Sequence, residues 1–233
     1  MCDSLWVMRN DKRVSFIIPC FNEMRTIGSV VEISRIWSKY AQIIVINDGS
    51  TDETAKVLES FKDRITILEN KKNFGKGYAL ALGLSRAKNE VVVFLDADIC
   101  GLTMHALNQL INPVLTGEAD MTLGIIRFYR LPKGRVYSGV TGFRAIKKSL
   151  LNAHISEMKK AGFGVEWLLN DILKKRRVVK VELPYVYALD KFLKAPQFST
   201  TLSIFKQWQE IITQAIRLNS KNFKRWITIN RIG

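Results

Sequence analysis

Cysteine is scarce and scattered. The chain has three, Cys2, Cys20 and Cys100, an odd number with no CxxC pair among them. That argues against a disulfide framework or a zinc site and fits reduced thiols in a cytosolic protein. Histidine is scarcer still, with His105 and His154 alone. Neither stands at a metal-ligand spacing, and each reads as a helix-face residue. No apolar run approaches the roughly eighteen residues that a membrane span needs. The N-terminus, MCDSLWVMRNDKR, has no apolar core followed by a small-residue cleavage site, so no signal peptide is expected. Tandem repeats and low-complexity tracts are missing. So are the G-x-x-x-x-G-K-[ST] phosphate loop and the G-x-G-x-x-G dinucleotide fingerprint.

Positive charge is abundant. Lys and Arg number 36 against 21 Asp and Glu, a net charge of +15 over 233 residues. Such an excess favours anionic partners (nucleic acid, phosphorylated ligands, an acidic membrane face) or serves as a solvated basic surface. Nucleic acid is not expected, because basic-aromatic repeats and zinc motifs are absent. The length suits one large α/β domain with a sizeable core, or two small ones. No clear linker is visible. The expected organisation is a catalytic domain over residues 1–200 and a C-terminal appendage over residues 201–233.

Strand-like and helix-like runs alternate through the first half. VSFIIP (Val14–Pro19), QIIVIND (Gln42–Asp48), RITILEN (Arg64–Asn70), VVVFL (Val91–Leu95) and MTLGII (Met121–Ile126) read as strands. Between them lie helical patterns over Thr26–Tyr40, DETAKVLESFK, Gly75–Ala87 and HALNQLINPVL. Ser50 or Thr51 can cap the second of these, with acids in its first turn, and Pro113 marks a kink or break in the last. This alternation predicts βαβ units and a largely parallel sheet. After Ile126 the pattern loosens. RFYRLPKGRVYSGVTGFRAIKKS reads as loop and short elements, Gly164–Arg177 as a helix, and VVKVELPYVYAL as a strand broken at Pro184. Thr201–Leu218 is an amphipathic helix followed by a basic-aromatic tail.

Four polar clusters each follow a strand: PCFNE (Pro19–Glu23), NDGSTDE (Asn47–Glu53), NKKNFGKG (Asn70–Gly77) and DAD (Asp96–Asp98). In open α/β sheets, ligands bind beyond the carboxyl ends of the strands, so all four gather on one edge. Asp96 and Asp98 can face a hard divalent cation, Mg²⁺ or Mn²⁺, or simply form an acidic turn. Asp48 can meet a ribose or base edge, or sit in a favourable Asp-Gly turn. Lys76 and its glycines can approach a diphosphate, or start a helix that packs tightly.

VSFIIPCFNE, IIVINDGSTDET, NFGKGYALALGLSRA and VVVFLDADI, in this order, resemble the start of a family 2 glycosyltransferase with the GT-A nucleotide-sugar-binding fold. GVTGFRAIKKSLL resembles the SGFRAF element of its dolichyl- or polyprenyl-phosphate hexosyltransferase branch. The match covers roughly Val14 to Leu151. The resemblance implies that Pro19, Phe21, Asn22 and Glu23 border the nucleotide and that Asp48 contacts the base or ribose. It implies that Lys76 and Gly77 line the nucleotide pocket. Asp96 and Asp98 would be the metal-binding D-x-D that holds Mg²⁺ or Mn²⁺ against the sugar-nucleotide diphosphate. Asp98 and Arg144 would act catalytically, Arg144 near the phosphates. Two places depart from the branch: Cys100 stands where relatives often carry Gln, and the region of Ser138 lacks the Asp they tend to have.

The acceptor is argued from charge. An alcohol acceptor needs a general base. A phosphate, whose second pKa is near 6, largely does not, and needs cations to position it. Arg127, Arg130, Arg135 and Arg144 fall in a short span, and arginine's planar fork suits phosphate. They are candidates for the acceptor phosphate, or surface charges on a loop. Glu166 is a candidate base for a hydroxyl acceptor, or a first-turn acid of its helix. Basic residues with Trp208 and Trp226 near the C-terminus suit an anionic membrane surface; a helix packed on the core would carry the same pattern.

The expected activity is inverting transfer of a hexose from GDP-mannose or UDP-glucose to a polyprenyl phosphate. The expected place is the cytoplasm, peripheral on the cytosolic membrane face. A soluble or protein-linked hydroxyl acceptor is the alternative. A non-catalytic nucleotide- or nucleic-acid-binding module is the third reading.

Overall fold

Alternate side chains of the inner strands enter opposite cores, and this explains the unbroken apolar runs. In a computed structural model, which describes residues 14–128 and 141–188, β1 (Val14–Cys20) sends Phe16 and Ile18 to one core and Ile17 to the other. Strand β4 (Val91–Phe94) sends Val91 and Val93 one way, Val92 and Phe94 the other. A strand buried on both faces has no polar side to show.

Helices fill both faces. On the first lie α1 (Ile27–Trp37), α2 (Thr54–Glu59) and α4 (Met104–Leu115), through Val30, Val31, Leu58, Leu107 and Leu110. Trp37 stands edge-on to Phe16, centroids 5.7 Å apart, and donates its indole N–H to Asn108 Oδ1 at 3.0 Å. On the second face lie α3 (Lys76–Arg86), α5 (Ile155–Lys160) and α6 (Val165–Leu173), through Leu80, Leu84, Met158, Leu168 and Leu169. Each fully buried side chain of this size contributes about 1.5–3 kcal/mol relative to exposure.

With β2 (Gln42–Asn47), β3 (Thr66–Glu69), β5 (Ile99–Cys100), β6 (Met121–Phe128), β7 (Arg144–Lys147) and β8 (Val178–Ala188), the sheet order is β3-β2-β1-β4-β7-β6-β8-β5. β3, β2, β1 and β4 run parallel, and β6 and β8 are parallel to each other. β7 is antiparallel to β4 and β6, and β5 to β8. The mostly parallel, helix-flanked sheet is the expected GT-A, Rossmann-like architecture.

Four details differ from the sequence reading. Residues 144–147, in a stretch read as loop and short elements, form the central strand β7; four residues carry too short a pattern to signal a strand, and burial comes from neighbours on both sides. Strand β8 continues through Pro184. Its register to β6 shifts there, so that Ile126 faces Leu183 and Arg127 faces Tyr187; proline is tolerated at such a bulge. Helix α2 is not capped by Ser50 or Thr51, nor does it hold acids in its first turn. Asp52 Oδ1 accepts from Thr54 N at 3.0 Å instead. Helix α4 runs through Pro113. The C-terminal helix expected over Thr201–Leu218 lies outside the described residues, as do Arg130 and Arg135. Among the described residues, no helix is long and apolar enough to cross a membrane.

Asp120 pins the far edge of the sheet. Its carboxylate accepts from Lys147 Nζ at 2.7 Å, from Arg177 N at 3.2 Å and from the Arg177 guanidinium at 3.3 Å. These bonds, Lys147 first, hold its carboxyl well below the usual carboxylate range. Its contribution is present in full above the ordinary carboxylate pKa and lost as pH falls through the depressed folded value. Asp120→Asn is expected to lower the melting temperature at pH 6 by roughly 2–4 °C per kcal/mol removed. The gap to the parent should close progressively below about pH 4 in melts followed by circular dichroism.

Candidate active site

The carboxyl edge of the sheet is built by side chains that hold one another's loops. Asn22, just after β1, is the one non-glycine residue at positive φ among those described, at 56°. Asparagine tolerates this left-handed conformation because its short amide can bond locally. Here Asn22 Oδ1 accepts from Thr51 N at 2.8 Å and Asp52 N at 3.4 Å, and its own N–H donates to Ser50 Oγ at 3.0 Å. Glu23 N donates to Thr54 Oγ1 at 2.8 Å. The loop after β1 is thereby stitched to the loop after β2. Pro19 lies in β1, and Phe21 stands exposed on the rim.

Asp48 performs the second stitch. Its buried carboxylate accepts from Asn70 Nδ2 at 2.7 Å, Phe74 N at 3.0 Å and Gly75 N at 2.8 Å. The loop after β3 is therefore folded back over the end of β2. Gly49 makes this possible: its φ is +74°, and a Cβ there would stand 2.5 Å from the Lys72 carbonyl carbon. The sequence marked Asp48 for a base or ribose; its observed partners are the chain's own donors. Cys20, beneath, donates to Ile46 O, and burial and then neighbouring carboxylates push its thiol well above the usual range. It is an inert thiol.

The Asp48 clamp delivers Lys76, the first residue of α3, to the middle of the edge. Its ammonium lies 2.5 Å from Asp96 Oδ1 and 2.5 Å from Glu166 Oε1. Burial acts most strongly on Lys76 and disfavours its charge, but Asp96 and Glu166 outweigh it and hold the pKa above the ordinary lysine value. Gly77 brings Glu166 near: a Cβ there would sit 2.3 Å from Met158 O, so α3 lies flush against α5 and the turn that leads to α6. Glu166 is in the first turn of α6 and is buried, and its Oε2 has no hydrogen-bond partner.

Asp96 and Asp98 follow β4 directly, both half-buried. Gly142 seats Asp96: a Cβ on that glycine would meet the carboxylate oxygens at 2.2 and 2.4 Å. Cys100 lies in β5, paired with Tyr187. Arg144 is fully buried and does not reach the surface. Nε donates to Thr141 O at 2.9 Å, one terminal nitrogen to Asn170 Oδ1 at 2.7 Å, and the other to Glu166 O at 3.3 Å. Burial pushes its pKa down to about 10, against the pull of Glu166 and Asp96, so it stays charged at neutral pH. The sequence marked Arg144 for the phosphates; its observed bonds tie β7 to α6 through Asn170 and the Glu166 carbonyl. Arg127 lies in β6, and its side chain is outside the described residues.

Sequence reasoning did not assign roles to Thr141, Gly142 and Asn170. Gly142 had a signal in the TGFR element. Asn170 follows Glu166 by four residues and so shares its helix face.

Removing the Asp48 carboxylate leaves three donors without an acceptor, at about 1–3 kcal/mol for each that stays buried. In Asp48→Ala, the Phe74 and Gly75 amides are expected to exchange roughly tenfold faster or more, measured by hydrogen–deuterium exchange. Amides of β1 should be unaffected.

Residues 15–162 match the family described as Glycosyl transferase family 2. A 4,4'-diaponeurosporenoate glycosyltransferase of Staphylococcus aureus (strain USA300) is 34% identical over 134 residues, 56% of this chain and 35% of that protein. The chain thus spans about a third of the length of the curated relatives it matches. Glucosyl-3-phosphoglycerate synthase from Mycobacterium tuberculosis, solved with Mn²⁺, UDP and glucosyl-3-phosphoglycerate, superposes with a TM-score of 0.70 at 21% identity, covering 88% of this chain and 79% of that one. The same enzyme with Mn²⁺, UDP-glucose and phosphoglyceric acid gives 0.66 at 21% identity, over 87% and 79%. The family match covers most of the described chain, including every strand-end cluster, and the chain belongs to glycosyl transferase family 2.

Proposed function

We propose that this chain moves a hexose, glucose or mannose, from UDP-glucose or GDP-mannose to the phosphate of a polyprenyl lipid, with inversion at the anomeric carbon. The observation that carries the choice of acceptor is the state of Glu166. Its Oε1 is held on the Lys76 ammonium at 2.5 Å. A carboxylate oxygen engaged by an ammonium is already taken, which suits an acceptor that needs no base. The acceptor phosphate oxygen bonds to the anomeric carbon as the bond to the donor diphosphate breaks, and the nucleoside diphosphate leaves. The S. aureus relative is named for transfer to diaponeurosporenoate. The mycobacterial neighbours were crystallised with UDP-glucose and phosphoglyceric acid, a phosphate-bearing molecule. The first supports a lipid-like acceptor, and the second supports UDP-glucose as donor and an acceptor that carries a phosphate.

Asp96 and Asp98 fit a hard divalent cation, Mg²⁺ or Mn²⁺, by their oxygen donors and by the seat that Gly142 makes for Asp96. Such a cation, when bound, neutralises the charge that develops on the leaving diphosphate. Among the described residues no third His, Cys, Asp or Glu completes a metal group, so diphosphate and water would supply the remaining ligands. Lys76 adds positive charge at the same place. Pro19, Phe21, Asn22, Glu23 and Gly77 would border the nucleotide. Arg127, Arg130 and Arg135 would hold the acceptor phosphate. Residues 201–233 would rest on an anionic membrane at its cytosolic face.

One observation favours a second reading. Glu166 Oε2 is buried and unpartnered, which suits a base that takes a proton from a hydroxyl acceptor.

Thermal shift with Mn²⁺ and a panel of sugar nucleotides is expected to show preferential stabilisation by UDP-glucose or GDP-mannose. No response to any sugar nucleotide would overturn the assignment. Labelled sugar should enter a butanol-extractable, acid-labile product, with Asp98→Ala slower by about 10²-fold or more. Label found only in water-soluble product, with Glu166→Gln slower by roughly 10²–10⁴-fold, would establish the second reading. Binding to vesicles rich in anionic lipid should weaken with salt and on deletion of the residues after Leu218.

A further inference from the structure

Lys76 holds an unusual place for a residue beside a diphosphate site. Its ammonium is bonded not to open solvent but to Asp96, one of the two acids of the D-x-D, and to Glu166 behind it. All three side chains are largely buried, at 15%, 22% and 7% exposure. Arg144 completes the group from beneath, and its donors are committed to Thr141, Asn170 and the Glu166 carbonyl. Lys76 and Arg144 match Asp96 and Glu166 in charge, two against two, with Asp98 of the D-x-D outside this count. A divalent cation placed on Asp96 would meet an ammonium bonded to the same carboxylate, in a partly buried setting where like charges repel strongly.

We infer that Lys76 is an internal counter-cation that holds Asp96 closed to a divalent cation until a nucleoside diphosphate arrives. This rests on the nucleotide-sugar reading above. The diphosphate brings the negative charge that the group lacks, and the ammonium moves from Asp96 to it. Glu166 keeps a second anchor for Lys76 during the exchange, and its unpartnered Oε2 leaves that anchor room to shift. Arg144 stays in place, since all its bonds lead to the scaffold. Lysine suits this task better than arginine: a compact ammonium on a flexible four-carbon stem can change partners, whereas a planar fork is committed to its geometry. Metal and nucleotide therefore bind as a coupled pair. Each is weak alone and tightened by the other to the same degree, as linkage requires. Such coupling keeps the D-x-D from loading a metal without a donor to activate.

The test measures Mn²⁺ binding by the electron paramagnetic resonance of free Mn²⁺, on the full chain, with no sugar transfer involved. Titrations run with and without saturating UDP, and again with GDP, each against a protein-free titration that subtracts the Mn²⁺ held by the nucleotide itself. The parent protein is expected to bind Mn²⁺ weakly alone and about 5–150-fold tighter with one of the nucleotides. In Lys76→Met, binding without nucleotide should tighten by about tenfold, and the ratio between the two conditions should shrink toward one. In Glu166→Gln, where Lys76 has only Asp96, binding without nucleotide should weaken and the ratio should grow. A Lys76→Met protein with an unchanged ratio would overturn the inference, since simple charge removal shifts both conditions equally. If Lys76→Met does not fold by circular dichroism, Glu166→Gln decides: an unchanged or smaller ratio overturns the inference. A parent protein that binds Mn²⁺ with neither nucleotide overturns the nucleotide-sugar reading as well. Nucleotide-dependent binding with an unaltered ratio in the variants overturns the inference alone.

Discussion

The ammonium of Lys76, caught between Asp96 and Glu166 at 2.5 Å from each, is the interaction on which the rest of the site depends. It joins three parts of the chain that are far apart in sequence: the start of α3, the end of β4 and the first turn of α6. Buried charges persist only when paired and hydrogen-bonded, and a partner lost leaves the other uncompensated. The surrounding residues meet that demand. Gly77 lets α3 lie against α5, Gly142 lets the chain before β7 pass over Asp96, and Arg144 fixes α6 through Asn170 and the Glu166 carbonyl. The site is a small electrostatic assembly with glycines at its points of closest approach.

A second constraint holds the rim. Strand ends leave backbone donors that need acceptors. Asn22 and Asp48 supply them across loops, each from the end of one strand to the loop after the next. The polar residues of the edge are thus scaffold first. Loops ordered in this way lower the entropy lost when a ligand binds.

Much of the fold was legible because its signals are local and repeated. Val91 to Leu95 is apolar without alternation, as a strand between two cores must be, and the helices between strands carry their period plainly. What was not legible depended on neighbours. Arg144 to Lys147 reads as part of a stretch of loop and short elements, yet β4 and β6 on either side make it a central strand. Pro184 reads as a break, yet the bulge opposite Ile126 absorbs it. Ser50 reads as a helix cap, yet its hydroxyl serves the loop of Asn22. In each case a partner remote in sequence satisfied a group that local rules left open.

The sequence by itself determined the alternation of strands and helices, the gathering of four polar clusters on one edge, and the pair of acids at the end of β4. Periodicity and chain direction are enough for that. Only the tertiary structure decided which of those polar residues are spent on one another. Asp48 went to the backbone of Phe74 and Gly75, Arg144 turned inward to Asn170, and Lys76 settled between Asp96 and Glu166. A side chain's role depends on the charges and donors within a few ångströms of it. Those neighbours come from distant segments that only the packed fold brings together.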